Sequence, residues 1–95
     1  MPSEPALRVD DTPQLCKQFR LQYEQARSAW VLLYPEGMVK LSASASEIMK
    51  RIDGKTTLGA IIRDLEAAFP GAALRQDVLD FIETAHARGW ISGTP

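Results

Sequence analysis

Ala29-Trp30-Val31-Leu32-Leu33-Tyr34, then Pro35-Glu36-Gly37, then Met38-Val39-Lys40-Leu41, is the stretch that decides the architecture. Its first six residues are aromatic, β-branched or apolar on both faces of an extended chain, which suits a strand covered on both sides. Pro35 fixes φ and Gly37 tolerates a positive φ, so the three residues that follow carry turn chemistry. The short run 38–41 then returns beside 29–34 as a tight hairpin. Upstream, Phe19, Leu21 and Tyr23 alternate with Arg20, Gln22 and Glu24, the period-two pattern of a strand with one buried face. Together these runs predict a three-stranded antiparallel sheet with 29–34 at its centre.

Downstream the period changes to that of helices. Ser44 and Glu47 have the spacing of a capping box before Ile48, Met49 and Ile52, which predicts a first helix from about Ser44 to Ile52, stopped by Gly54. Thr56 or Thr57 caps a second helix, whose apolar stripe is Leu58, Ile61, Ile62, Leu65 and Phe69 and which Pro70-Gly71 ends. A third helix places Leu74, Val78, Leu79, Phe81, Ile82 and Ala85 on one side, opposite Asp77, Asp80 and Glu83, with Gly89 as its C-cap. Trp90 and Ile91 then fold back on the core or add a brief strand. The expected fold is α+β: a three-stranded antiparallel sheet followed by three short helices, winged-helix-like, as one domain over 17–93. Residues 1–16, with Pro2, Pro5, Pro13 and Asp10-Asp11, show no sustained period and are read as a flexible N-terminal arm.

Ninety-five residues suffice for one domain with a small core, burying roughly 60–65% of the unfolded surface. No apolar run is long enough to span a bilayer and no secretory signal pattern opens the chain, so the cytoplasm is the expected compartment and no membrane partner is expected. One cysteine, Cys16, and one histidine, His86, exclude an internal disulfide and a zinc site of the usual kind. No metal or other cofactor is expected. A formal net charge of -1 provides no global attraction for phosphate.

Reactive constellations are missing as well. His86 falls near the end of the third helix, a position where a lone histidine interacts with the helix C-terminus, and Cys16 lacks an orienting partner. The glycines lie at caps and turns without phosphate-cradling spacing. The chain is therefore expected not to be an enzyme. The alternative class for this element order is a DNA-binding winged helix, but the third helix sets Arg75 and Arg88 against Asp77, Asp80 and Glu83, and no cationic face results. Nucleic acid is not an expected partner.

Phe19-Arg20-Leu21-Gln22-Tyr23 and the run Trp30 to Gly37, continued by Leu41, Glu47-Ile48-Met49, Asp53-Gly54, Ile61-Ile62, Leu65, Asp77-Val78 and Gly89-Trp90-Ile91, strongly resemble the D family of pyrroloquinoline quinone (PQQ) biosynthesis. The resemblance covers residues 17 to 91. It implies a peptide chaperone, the stand-alone recognition element of a ribosomal peptide pathway. Such a protein would bind the PQQ precursor peptide and present it to a radical S-adenosylmethionine enzyme that cross-links a glutamate to a tyrosine. The iron–sulfur chemistry would belong to that enzyme.

The resemblance further implies that the precursor adds as a strand to the third strand, in the groove beside the third helix. The expected peptide-binding residues are Met38, Val39, Lys40 and Leu41 on the strand, with Arg75, Val78, Phe81, Ile82 and Ala85 on the helix; sequence cannot divide that helix face between groove and core. Arg20, Arg75 and Lys40 are candidates to meet acidic groups on the peptide, Asp77 and Asp80 basic ones. Val39→Pro is expected to impair the edge by deleting an N–H. Oligomeric state is not readable, and the hinge Pro35-Glu36-Gly37 leaves a homodimer by strand exchange open.

Overall fold

The computed structural model describes residues 7–94. Its strands are β1 (Thr12–Leu15), β2 (Arg20–Glu24), β3 (Ala29–Tyr34), β4 (Gly37–Lys40) and β5 (Ile91–Thr94), and its helices are α1 (Ala43–Met49), α2 (Leu58–Ala68) and α3 (Arg75–Ala87). The strands form two antiparallel sheets: β2-β3-β4, as read from the sequence, and a second sheet, β1-β5, that joins the two ends of the domain. The α+β, winged-helix-like expectation thus stands, with one sheet more than the local patterns show.

In the larger sheet Leu21, Leu32 and Val39 form one cross-strand row, and with Trp30 and Leu41 they turn toward the helices. Arg20, Leu33 and Met38 form a row on the opposite face, as do Gln22, Val31 and Lys40. Val31 and Leu32 point to opposite faces and are both fully buried, so the central strand is covered on both sides at its midpoint. The core joins Leu32 and Leu41 to Ile48 and Met49 of α1, Leu58, Ile61, Ile62 and Leu65 of α2, and Val78, Ile82 and Ala85 of α3. Burying each such side chain contributes about 1.5–3 kcal/mol, which is why a chain this short depends on all three helices.

The N-terminal segment differs from the expectation. Residues 1–6 of the expected arm lie outside the described residues, but Leu7 is buried in the core and 12–15 are a strand. The reason is non-local. Thr12 pairs with Thr94 and Leu15 with Ile91, across nearly the whole chain, and no short-range period signals such a partner. The Trp90-Ile91 alternatives both hold, since these two residues are buried and Ile91 starts β5.

Two helix boundaries also move. Ser42, not Ser44, caps α1 by accepting a hydrogen bond from the Ala45 N–H at 3.1 Å, while Glu47 pairs with Lys50 and Arg51 instead of closing a capping box. The helix is accordingly one residue earlier at its start and ends at Met49, not Ile52. Of the two candidates for the second cap, Thr57 serves, accepting from the Ala60 N–H at 3.2 Å. Asp53 accepts from the N–H groups of Lys55 and Thr56 and so orders the turn where Gly54 adopts φ +75°. Those bonds, that from Lys55 foremost, hold the Asp53 carboxyl below its ordinary range.

Candidate functional site

Antiparallel pairing directs the N–H and C=O of successive residues alternately to the two sides of a strand. The Leu41 N–H donates to the Trp30 carbonyl at 3.0 Å, which fixes that alternation along β4. Leu41, Val39 and Gly37 turn their main-chain groups in toward β3; Met38 and Lys40 turn theirs out. Among the described residues no backbone hydrogen bond reaches those outward groups. The strand therefore offers two N–H donors and two C=O acceptors on an open edge. The Val39 N–H is not among them, which corrects the expectation that Val39→Pro would strip a donor from the edge.

The turn feeding this edge is built without a left-handed residue. Gly37 has no positive φ, and a Cβ placed there would lie 3.4 Å from the Tyr34 hydroxyl oxygen. That is ordinary van der Waals contact, so neither φ nor space demands glycine there; the Tyr34 ring itself packs on Phe19 with centroids 5.5 Å apart.

Where β4 ends, a cavity of about 600 Å³ begins. Ser42, two residues past the strand, forms its near wall with Ala43, Ala45, Glu47 and Ile48 of α1. Its far wall is Leu74, Asp77, Val78 and Phe81 on α3, and the end of α2 adds Leu65 and Phe69. The lining is mainly apolar, and the volume falls in the range of pockets that take a large side chain or a small ligand. Glu47 is held below its usual carboxylate range, first by its hydrogen bond from Lys50 and then by that from Arg51. Arg51 is pushed up, chiefly by its bond to Asp64 and then by Glu47, so it ties α1 to α2 beside the cavity.

The expected site residues divide into three groups. Met38 and Lys40 are exposed on the open edge, and Val39 is half-buried with its side chain toward the helices. Val78 and Phe81 line the cavity. Leu41, Ile82 and Ala85 are core residues, at 6%, 1% and 0% exposure, and Arg75 is exposed; none of these four lines the cavity. The correction for Ile82 and Ala85 follows from helical geometry: they share the stripe of Val78 at four- and seven-residue spacing and point down the axis into the core, while Phe81 sits at its flank. Phe69 moves the other way. Read as core, it lies at the C-cap of α2, 44% exposed, and lines the cavity. An aromatic immediately before Pro70-Gly71 is the signal that could have found it, since a helix terminus cannot hold a stripe in register. Ser42, Ala43 and Ala45 give no sequence signal.

Fold and site together define a small winged-helix-like α+β binding module. Comparison with known proteins is specific. The family described as coenzyme PQQ synthesis protein D (PqqD) matches residues 29–91. A PqqA binding protein of Acinetobacter baylyi is 45% identical over 96% of this chain and 97% of its own length, and one of Pseudomonas aeruginosa is 48% identical over 87% and 91%. The crystal structure of PqqD from Xanthomonas campestris, 37% identical, covers 78% of this chain and 84% of that one with a TM-score of 0.50. The solution structure of the PqqD truncation of Methylobacterium extorquens PqqCD, described as a stand-alone recognition element for a ribosomally synthesized and modified peptide, covers 93% and 96% with a TM-score of 0.76; at 24% identity it shows the shared fold. The chain belongs to the PqqD family.

Proposed function

We propose that this protein is the precursor-peptide chaperone of PQQ biosynthesis: it captures PqqA as an added strand on β4 and presents it to the radical S-adenosylmethionine enzyme of the pathway. Its work is binding, in the cytoplasm, and bond-making belongs to the partner. The relatives that bind PqqA support the ligand, and the joined PqqC and PqqD of Methylobacterium support contact with pathway enzymes. The observation that carries the reading is the open edge of Met38 and Lys40 followed, from Ser42 onward, by a cavity-lining segment.

The energetics require both parts. Four backbone hydrogen bonds at a net of about 1 kcal/mol each give roughly 4 kcal/mol, half of the about 8 kcal/mol that micromolar affinity needs. Apolar guest side chains buried in the cavity must supply the remainder and also offset the entropy cost of association. Phe69, Val78 and Phe81 are the walls such side chains meet.

Met38→Pro tests this. It deletes one outward N–H but no bond to β3, and proline is tolerated at such edge positions. The expected result is a folded protein whose affinity for PqqA, measured by calorimetry, falls at least about tenfold, with amide shifts in the unmodified protein along 38–41, 42–48 and the start of α3. Shifts confined to the other open edge, at Leu21 and Tyr23 of β2, or undiminished affinity in Met38→Pro, would refute strand addition at β4.

A further inference from the structure

The two faces of the open edge differ in charge, and the alternation along β4 assigns each to a set of guest residues; this step rests on the strand-addition reading above. A guest residue hydrogen-bonded to Lys40 lies directly opposite it, with its side chain on the same sheet face. That face is turned away from the helices. Lys40 is exposed there in a row with Gln22 and Val31, and among the described residues no carboxylate pairs with its ammonium. Glu24, the acid of β2 on that face, accepts instead from the Gln22 amide at 3.1 Å.

Guest residues opposite Val39 and Leu41 point the other way, toward α1, α3 and the cavity. The charged side chains in that lining are acidic, Glu47 and Asp77. Glu47 is neutralised by Lys50 and Arg51, whereas no cation among the described residues pairs with Asp77. A carboxylate is thus favoured on the Lys40 face and disfavoured on the cavity face.

We propose that Lys40 is a specificity-determining residue: it selects a peptide segment with Asp or Glu at the position hydrogen-bonded to it and apolar residues on either side. A slip by one residue would turn the acid toward Asp77 and the apolar residues to water, so the same pair of charges fixes the register.

The test is a charge swap. PqqA and a panel of its variants, each with one Asp or Glu replaced by Lys, are titrated into the unmodified protein, Lys40→Glu and Lys40→Gln. Lys40→Glu should weaken PqqA about three- to tenfold and Lys40→Gln by less, the scale of cross-strand charge pairs. One member of the panel should regain affinity for Lys40→Glu and lose it for the unmodified protein. Equal affinity of all three proteins for PqqA, or no member rescued, overturns the assignment while shifts along 38–41 leave strand addition standing. Absence of those shifts in the unmodified protein removes strand addition itself, and the Lys40 assignment with it.

Discussion

β1 and β4 are both four-residue strands at the margin of a sheet, yet one is closed by its own chain and the other is open. Along β1 the Pro13 carbonyl turns away from β5 and accepts from the Gly54 N–H at 3.0 Å; beyond its start, the Leu58 N–H donates to Asp11 at 2.8 Å and the Gly59 N–H to Val9 at 2.9 Å. Proline at position 13 removes a donor that would otherwise need a partner. Along β4 the described residues provide neither such a cover nor a proline. Exposed edges invite association, and proteins generally blunt them. Among the described residues, the chain covers the β1 margin with a dedicated loop and leaves the β4 margin bare.

Substitutions on both strands can break or sharpen that contrast. The largest effect is expected from Val39→Pro, which removes an N–H directed at β3 and strands the Leu32 carbonyl: the thermal or denaturant midpoint should report a loss of about 2–3 kcal/mol, unlike Met38→Pro one position away. Equal stability of the two proline variants would refute the assigned alternation. Leu7→Ala should cost nearly as much, about 2–3 kcal/mol, since Leu7 is buried against Gly93, where even a Cβ would collide with it. PqqA affinity of the folded variant should stay within about twofold, because β1 and β4 belong to different sheets; a larger drop would show the two margins to be coupled. The smallest effect concerns Glu47 beside the cavity. Its folded carboxyl titrates below the ordinary 4.5, so its contribution is fully present above about pH 5 and lost as pH falls through the folded value. With partly exposed partners it amounts to a few tenths of a kcal/mol, visible as a shallower acid decline of stability in Glu47→Gln.

What the sequence shows depends on the range of the interaction. The β2-β3-β4 meander is legible because alternation and a turn specify it between Arg20 and Lys40, and α2 because Thr57 and a regular stripe lie together. β1 is invisible because its partner is β5, and its own four residues include a proline. Ser44 with Glu47 matches a capping box in spacing, but Ser42 stands two residues earlier, and Glu47 is taken by Lys50 and Arg51, three and four residues further on. At the site, the open edge follows from strand order, while the split of α3 between Phe81 toward the cavity and Ile82 toward the core depends on a few tens of degrees of helix rotation. Composition does not encode such an angle.

Of the chain's two tryptophans, one lies in the larger sheet and the other immediately precedes the smaller one. Trp30 lies in β3 with the Lys50 ammonium 5.5 Å from its ring centre, and Trp90 leads into β5 with the Arg88 guanidinium 5.6 Å away. Trp30→Phe and Trp90→Phe therefore split the intrinsic emission into two label-free channels, one in the sheet that carries β4 and one beside the β1-β5 pair. Guest arrival should be seen in the first channel, and whether the two sheets melt together is answered by comparing both.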